Sequence, residues 1–424
     1  MWNKKHPNVL ITGAGPVGLT AAISLHEKDI DFEIIDKAPG PSRHSKACLL
    51  SPETLELLDD MGLIESVLRR AVKIHSIQLY HEEKRLGLIS LGQLPTRFPF
   101  IVSLPQTELE LILLDHLSVN HRKVQWNYRL AAISRKNGDL EVEVETLGEH
   151  MTGYSVMHEE RLVDSSLKYV PKVLLAADGI YSLVRRLQKI SYDPVGRDYT
   201  SVLFEVRRNP REDGVLKLGF TKHGISAYVP LPHGLGRFGF VTESVSEVSS
   251  DRDTAHYVYD EDLEKFPDLA PERFKELLNK RMPYLVGHNG EVTWRASVPF
   301  GARLADKIWS DGIFLLGDAA RSGYPIGAKG LNLGLPEARK VAEAVVRFLK
   351  KGDDSVVRKA AETMRTEWED LSALSFLDSR YRADEAHGGP DPNLILQSLP
   401  LSGNTLDYVA HKLSELIELE HVTT

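Results

Sequence analysis

One cysteine, Cys48, stands in a chain of 424 residues. It can form neither an intrachain disulfide nor a cysteine-based zinc site, so stability must come from packing, as suits a reducing compartment. No apolar run approaches the ~20 residues a helix needs to cross a bilayer, so stable membrane insertion is not expected. Positive charge is in short supply too: 52 lysines and arginines face 60 acids, a formal net charge of −8. No basic stripe breaks that balance, which argues against recognition of a nucleic-acid backbone, although one or two local arginines can still hold a small anion. The histidines are scattered without an H-x-x-x-H pair, so no metal site is expected. Repeats and low-complexity tracts are lacking. Met1–Asn8 is polar and runs straight into a strand, leaving no room for a leader, and a cytoplasmic location is the expectation.

What remains is an ordinary globular composition, 42% hydrophobic and 26% charged, long enough for a large buried core. Val9–Thr12, Phe32–Ile35, Lys172–Ala176 and Ile313–Leu316 read as short buried strands. Helical patterns are expected at Gly18–Glu27, Glu53–Asp60, Gln106–Leu117, Pro271–Arg281 and from about Leu331 to Lys350. Residues 124–170 look like β-hairpins interrupted by a polar excursion at Glu149–Ser166. At least four strand-like runs between Tyr199 and Glu243 suggest a separate antiparallel sheet, a platform for a substrate.

These patterns predict an α/β fold: a Rossmann-type nucleotide-binding domain interleaved with a mixed or antiparallel-sheet substrate domain, plus C-terminal helices. The expected boundaries are 1–75, 98–182 and 290–350 for the first, 76–97 and 183–289 for the second, and 351–424 for the helices.

Gly13, Gly15 and Gly18 spell G-x-G-x-x-G between a strand and a helix, with Pro16 inside the motif. The first glycine permits a tight turn, the second lets backbone approach a pyrophosphate, and the third lets helix pack on sheet. The helix N-terminus then offers unpaired N–H groups to the phosphates. Asp36, followed by Lys37, ends the second strand at the spacing expected of a residue that accepts from a ribose diol. Alone, the motif says dinucleotide and does not separate FAD from NAD.

Two later segments narrow it. Leu175-Ala176-Ala177-Asp178-Gly179 runs on to Ser182 and Arg185, and Phe314-Leu315-Leu316-Gly317-Asp318-Ala319-Ala320 is followed by Pro325, Gly327, Gly330, Leu331 and Asn332. With these three fingerprints in order, the chain resembles the single-component FAD-dependent aromatic hydroxylases, the 4-hydroxybenzoate 3-monooxygenase family, over roughly residues 8–350.

The resemblance implies a non-covalently bound, extended FAD. Gly13, Gly15, Pro16, Gly18, Asp36 and Lys37 would lie at one end. Asp318, Pro325, Gly327, Gly330, Leu331 and Asn332 would lie toward the ribityl chain and flavin, where a helix N-terminus favours the anionic reduced ring. Lys46 occupies the place of a family arginine that contacts FAD and helps admit the nicotinamide cofactor, or else is a solvated lysine. Gln106 matches a glutamine that touches the pyrophosphate, or simply opens a helix. Asp178 contacts FAD or fixes the fold where the nicotinamide passes.

Departures are Arg321, where histidine is usual, and Ile326, where threonine is common. The Arg321 guanidinium would hold a pyrophosphate or an acidic helix end. Cys48 reads as a small buried residue rather than a flavin tether.

In that family NADPH or NADH reduces the flavin, O2 adds at C4a, and the hydroperoxide passes OH to an activated ring; the protein positions, polarises and excludes water. Pro325 matches a proline whose carbonyl faces the reacting ring. Tyr228, Tyr324 and Arg237 are candidate substrate contacts, with core packing as the competing reading for the tyrosines. Epoxidation or double-bond reduction on the same scaffold, or FAD-dependent sequestration of a ligand without catalysis, are the other readings. Oligomeric state is open between monomer and homodimer.

Overall fold

The continuous apolar runs become the centre of a parallel sheet. A computed structural model describes residues 4–42, 47–152, 158–207, 214–242, 256–257, 267–288, 290–323, 327–373 and 392–422. In it Ile313–Leu315, Val173–Ala176, Val9–Thr12 and Phe32–Asp36 lie side by side, all parallel. Leu175 sits in register with Ile11 on one side and Phe314 on the other. Strands buried on both faces do not alternate polar with apolar, which is why they read as unbroken hydrophobic runs. Gln125–Trp126 adds a parallel edge, and Trp309–Ser310 an antiparallel one. The fold is α/β, with this Rossmann-like unit interleaved with antiparallel and mixed sheets and closed by C-terminal helices.

Helices Pro16–His26, Gln106–Val119 and Lys329–Lys351 flank the parallel sheet. The last carries Pro336 in its interior. A proline there removes the N–H that would reach the carbonyl four residues back, that of Asn332. The Thr54 hydroxyl lies 3.4 Å from that carbonyl, with its proton closer to the Asn332 side-chain oxygen at 2.8 Å. The helix stops at Gly352, which takes the left-handed conformation at φ 70°.

The second large sheet has nine strands. Along its main path run His256–Tyr257, Val292–Ala305, Tyr192–Arg207, Leu235–Thr242, Gly224–Leu231, Val215–Thr221, Ser76–His81 and Lys84–Ser90, with Arg321–Ser322 pairing at Val292–Ala305. Residues 292–305, grouped by sequence with the nucleotide-binding part, thus hydrogen-bond into this sheet. Period-two alternation gives it two apolar faces. Phe204, Tyr228, Phe238 and Phe240 pack under helix Pro271–Arg281 through Phe274, Leu277 and Leu278. Ile225, Val229 and Leu231 share a different cluster with Cys48, Leu49, Ala328 and the C-terminal Leu394, Leu399 and Leu401. This second face looks toward the nucleotide-binding part.

The polar excursion is a correction. Asp139–Thr152 and His158–Tyr169 form one long antiparallel ribbon whose register runs from Val142–Tyr169 out to Thr152–His158. Strand pairing satisfies its backbone polar groups, so a two-sided polar ribbon persists without a hydrophobic pattern to announce it. Among the described residues no helix is long and apolar enough to cross a membrane, and no cluster of histidine, cysteine and acidic side chains could hold a metal ion.

Candidate functional site

Three chain segments meet at the ends of the parallel strands. Gly13 holds φ 98°, and a Cβ on it would fall 2.2 Å from the Ala177 carbonyl oxygen, so only glycine lets the first turn lie against the Asp178-Gly179 segment. On the other flank Val17, in the first helical turn, fills the space beside Gly317 and Gly334: Cβ atoms there would come 3.1 and 2.8 Å from its methyl Cγ2. Backbone bonds complete the join, Ala177 N–H to Thr12 C=O and Leu316 N–H to Ala176 C=O, both 2.8 Å. The G-x-G-x-x-G turn, the D-G turn and the G-D turn are therefore one structure.

Two helix N-termini open onto it without local satisfaction. Neither Pro16–His26 nor Lys329–Lys351 has a side-chain cap or an acid in its first turn. Helix Pro52–Asp60, by contrast, is capped by Ser51 and carries Glu53. Unpaired N–H groups and the positive end of the dipole are thus left available to a ligand at both places. Around Gly15 a Cβ would meet nothing within 4 Å, so the phosphate-side backbone is open to approach.

Asp36 accepts from Ala14 N–H through Oδ2 at 2.7 Å and from Ala38 N–H through Oδ1 at 2.8 Å. The acid braces the loop and keeps a lone pair on each oxygen for a ribose hydroxyl. Lys37 beside it is exposed. Asp178 Oδ2 caps the short helix Leu183–Leu187 through the N–H groups of Leu183 and Val184, while its buried Oδ1 has no hydrogen-bond partner. Burial pushes this carboxyl above the ordinary aspartate range, opposed by the Ser182 hydroxyl and then by those N–H groups. Asp318 is exposed, and its Oδ1 lies 3.5 Å from the position a Gly330 Cβ would take. An orphaned buried acceptor, an exposed carboxylate and two uncapped helix starts form a donor and acceptor set that fits FAD.

Other expected contacts are placed differently. The Asn332 amide is fully spent inside the protein: it donates to Leu49 C=O and Ala328 C=O at 3.0 Å, and accepts from Ser51 N–H and the Thr54 hydroxyl at 2.7 and 2.8 Å. Its side chain clips the late helix to residues 49–54 and has no capacity left for a cofactor. Gln106 accepts from Ala47 N–H and donates to Glu110, which in turn accepts from Ser42 N–H. Gln106 thereby shapes the loop rather than opening a bare helix. Gly327 and Gly330 flank the start of the late helix, and Leu331 lies partly buried in its first turn.

Tyr228 is a correction: it is fully buried under helix Pro271–Arg281, with its ring 4.9 Å from Phe238, because strand alternation turns it away from the site. Arg237 lies on the opposite face and forms a buried ion pair with Glu205, its cross-strand neighbour, next to Trp294 and Cys48. Burial pushes the Cys48 thiol up, opposed by Arg237. Lys46, Tyr324, Pro325 and Ile326 lie outside the described residues.

Arg185, the last residue of the D-G segment, carries a role that the motif alone does not assign. Its guanidinium donates to Ala319 C=O at 2.8 Å and Ile180 C=O at 2.7 Å, and its centre stacks 3.7 Å from the Tyr192 ring. The Tyr192 hydroxyl donates to Asp318 C=O. This pair bolts the D-G turn to the G-D turn. Arg321 serves an acidic helix residue: buried and stacked on Trp368, it pairs with Glu337.

Residues 6–369 match the FAD binding domain family. The chain belongs to that flavoprotein family. Membership bears out the resemblance to the FAD-dependent aromatic hydroxylases. Similar proteins include YhjG of Bacillus subtilis (strain 168), described as an uncharacterized aromatic compound monooxygenase, 29% identical over 80% of this flavoprotein and 62% of its own length. Pentachlorophenol 4-monooxygenase of Sphingobium chlorophenolicum is 24% identical over 78% and 56%. Para-nitrophenol 4-monooxygenase of Pseudomonas sp. (strain WBC-3) is 25% identical over 81% and 79%. The flavoprotein thus spans less than two thirds of the first two relatives. Among solved structures, p-nitrophenol 4-monooxygenase of Pseudomonas putida DLL-E4 shares its fold with a TM-score of 0.70 at 17% identity, covering 98% of this chain and 99% of that one.

Proposed function

We propose that the chain is an FAD-dependent monooxygenase that spends one NAD(P)H and one O2 to hydroxylate a small aromatic or polyketide-like substrate. The observation that carries this is the convergence of the three turns through Gly13, Val17, Gly317 and Gly334 on two uncapped helix starts. The names of similar proteins, which act on pentachlorophenol, para-nitrophenol and 6-methylpretetramide, support an aromatic or polyketide-like substrate. Bound non-covalently, FAD would supply the hydride acceptance and dioxygen activation that no side chain provides.

The chain's own residues bind and orient. Gly15 and the first helix start would hold the pyrophosphate, Asp36 the ribose, and Asp318 the polyol near the second helix start. Arg185 and Tyr192 keep the Asp178 and Asp318 segments in register. The Ile225–Leu231 face, with the buried Arg237–Glu205 pair beside Val229 on the same side of the sheet, offers a largely apolar, water-poor wall for a ring.

The test is heavy-dioxygen labelling with a panel of phenols. NAD(P)H oxidation stimulated by substrate, with one labelled oxygen in the product, is expected. Anaerobic turnover would instead mark a reductase, and a protein that takes up no flavin on reconstitution would end this reading. Asp318→Ala should weaken FAD affinity roughly tenfold or more, as expected for losing a charged hydrogen bond, measured by flavin fluorescence.

A further inference from the structure

The C-terminal segment beyond the family match is seated on the glycine loop. Gly327 holds φ 83°, and a Cβ on it would stand 2.5 Å from the Gln397 carbonyl oxygen and 3.3 Å from that of Leu399. The loop and residues 397–399 therefore touch backbone to backbone, with no room for a side chain between them. Two residues on, the Lys329 ammonium donates to the Leu401 carbonyl. Between these contacts Ala328 shares one apolar cluster with Leu394, Leu399 and Leu401, and with Cys48, Val229 and Leu231 of the loop and sheet opposite. The far end is fastened separately, by the Thr405 hydroxyl on Glu53 of helix Pro52–Asp60.

A lysine is a costly way to fill this place. Burial pulls its ammonium down to about 8, with only Glu53 opposing. A methionine or leucine would pack against the same leucines without taking a charge out of water. What the ammonium alone supplies is a donor for the Leu401 carbonyl, and hence a tie between the late helix and residues 392–401.

We propose that residues 392–401 form the closing wall of the substrate compartment and that Lys329 is the positioning residue that holds this wall on the glycine loop. The inference rests on the monooxygenase reading above. In productive turnover NAD(P)H, a proton and O2 convert a ring C–H into C–OH, with the second oxygen leaving as water. If solvent enters, the same two electrons and two protons reduce O2 to hydrogen peroxide and the substrate is released unchanged. A wall held in place affects that partition and not the hydride transfer that precedes it.

The experiment compares FAD-loaded wild type with Lys329→Ala and, because that variant removes a packed side chain, with Thr405→Val at the far fastening. Amide hydrogen exchange is measured over residues 392–401, and peroxide and product are measured per NAD(P)H. In both variants exchange over 392–401 should rise about tenfold, the scale of one lost charge-assisted hydrogen bond. The peroxide fraction should at least double in both, while in Thr405→Val the rate of flavin reduction stays within about twofold. Unchanged exchange in both variants, or faster exchange without more peroxide, overturns the proposal. A wild type that oxidises no NAD(P)H with any substrate overturns the monooxygenase reading along with it. A wild type that hydroxylates while the variants remain fully coupled overturns the wall alone.

Discussion

Arg321 shows how one position redirects its surroundings. Its guanidinium is fully buried, faces Glu337 of the late helix and stacks 4.6 Å from the Trp368 ring. Burial pushes the Glu337 carboxyl up while Arg321 pulls it back, the balance of a desolvated pair. Such a pair adds little net stability, but halving it leaves an uncompensated charge. Glu337→Leu should therefore cost roughly 3–5 kcal/mol in chemical denaturation, and Arg321→Met with Glu337→Leu should recover most of that loss. A double variant as unstable as the single one would show that Arg321 matters through something other than its charge. The identity of Arg321 was plain in the sequence, as was the choice between a phosphate and an acidic helix residue. The choice itself depended on Glu337 facing it, which is a matter of packing. Asn332 teaches the same lesson, since its amide is spent on Leu49, Ala328, Ser51 and Thr54, while Gln106 turns part of its amide to Ala47 and Glu110.

Among elements, the two helices that begin at the site are joined by a knob and a notch. Val17 of helix Pro16–His26 fits against Gly317 and Gly334, the latter in helix Lys329–Lys351. A methyl on Gly334 would come 2.8 Å from a Val17 methyl, so Gly334→Ala should lose about 1–3 kcal/mol through overpacking, partly offset by better helix propensity. Adding Val17→Ala should restore room, and a double-mutant cycle read by thermal melting and FAD content should show favourable coupling. Strict additivity would mean the helices do not meet there. The parallel strands and the helices at 16–26, 52–60, 106–119, 271–281 and 329–351 were legible because apolar periodicity and glycine punctuation agree. The ribbon of Asp139–Thr152 and His158–Tyr169 was not: its stability lies in backbone pairing, to which hydrophobic patterning is blind. The role of residues 392–401 was hidden for a different reason, since nothing local marks a segment whose carbonyls serve a loop far away.

For the molecule as a whole, the ammonium beneath that segment gives the pH profile of stability a definite sign. Lys329 is pulled from the usual lysine value of 10.5 to about 8 in the folded chain. Between those values the unfolded chain binds more protons, so stability rises with pH through this window and levels above it. The shift corresponds to about 3 kcal/mol, an upper figure for a partly buried group. The difference between wild type and Lys329→Ala in denaturant titrations should trace that rise from about pH 8 to 10.5, and a difference independent of pH would remove the buried charge from the explanation. The fold class, the three fingerprints and their union at one place were legible from sequence. Which faces of the large sheet turn inward was not, and that is why Tyr228 and Arg237 ended on opposite sides.

The register that sets Leu175 between Ile11 and Phe314 has a consequence for synthesis. As the polypeptide leaves the ribosome, the strands at 9–12 and 173–176 are finished long before 313–315, so one apolar edge waits unpaired while the whole intervening sheet is made. Contacts this remote in sequence slow folding and leave the nascent chain exposed to aggregation. A pocket assembled from the first and last of these strands cannot form until residues 313–315 have been made; cofactor loading must follow their synthesis.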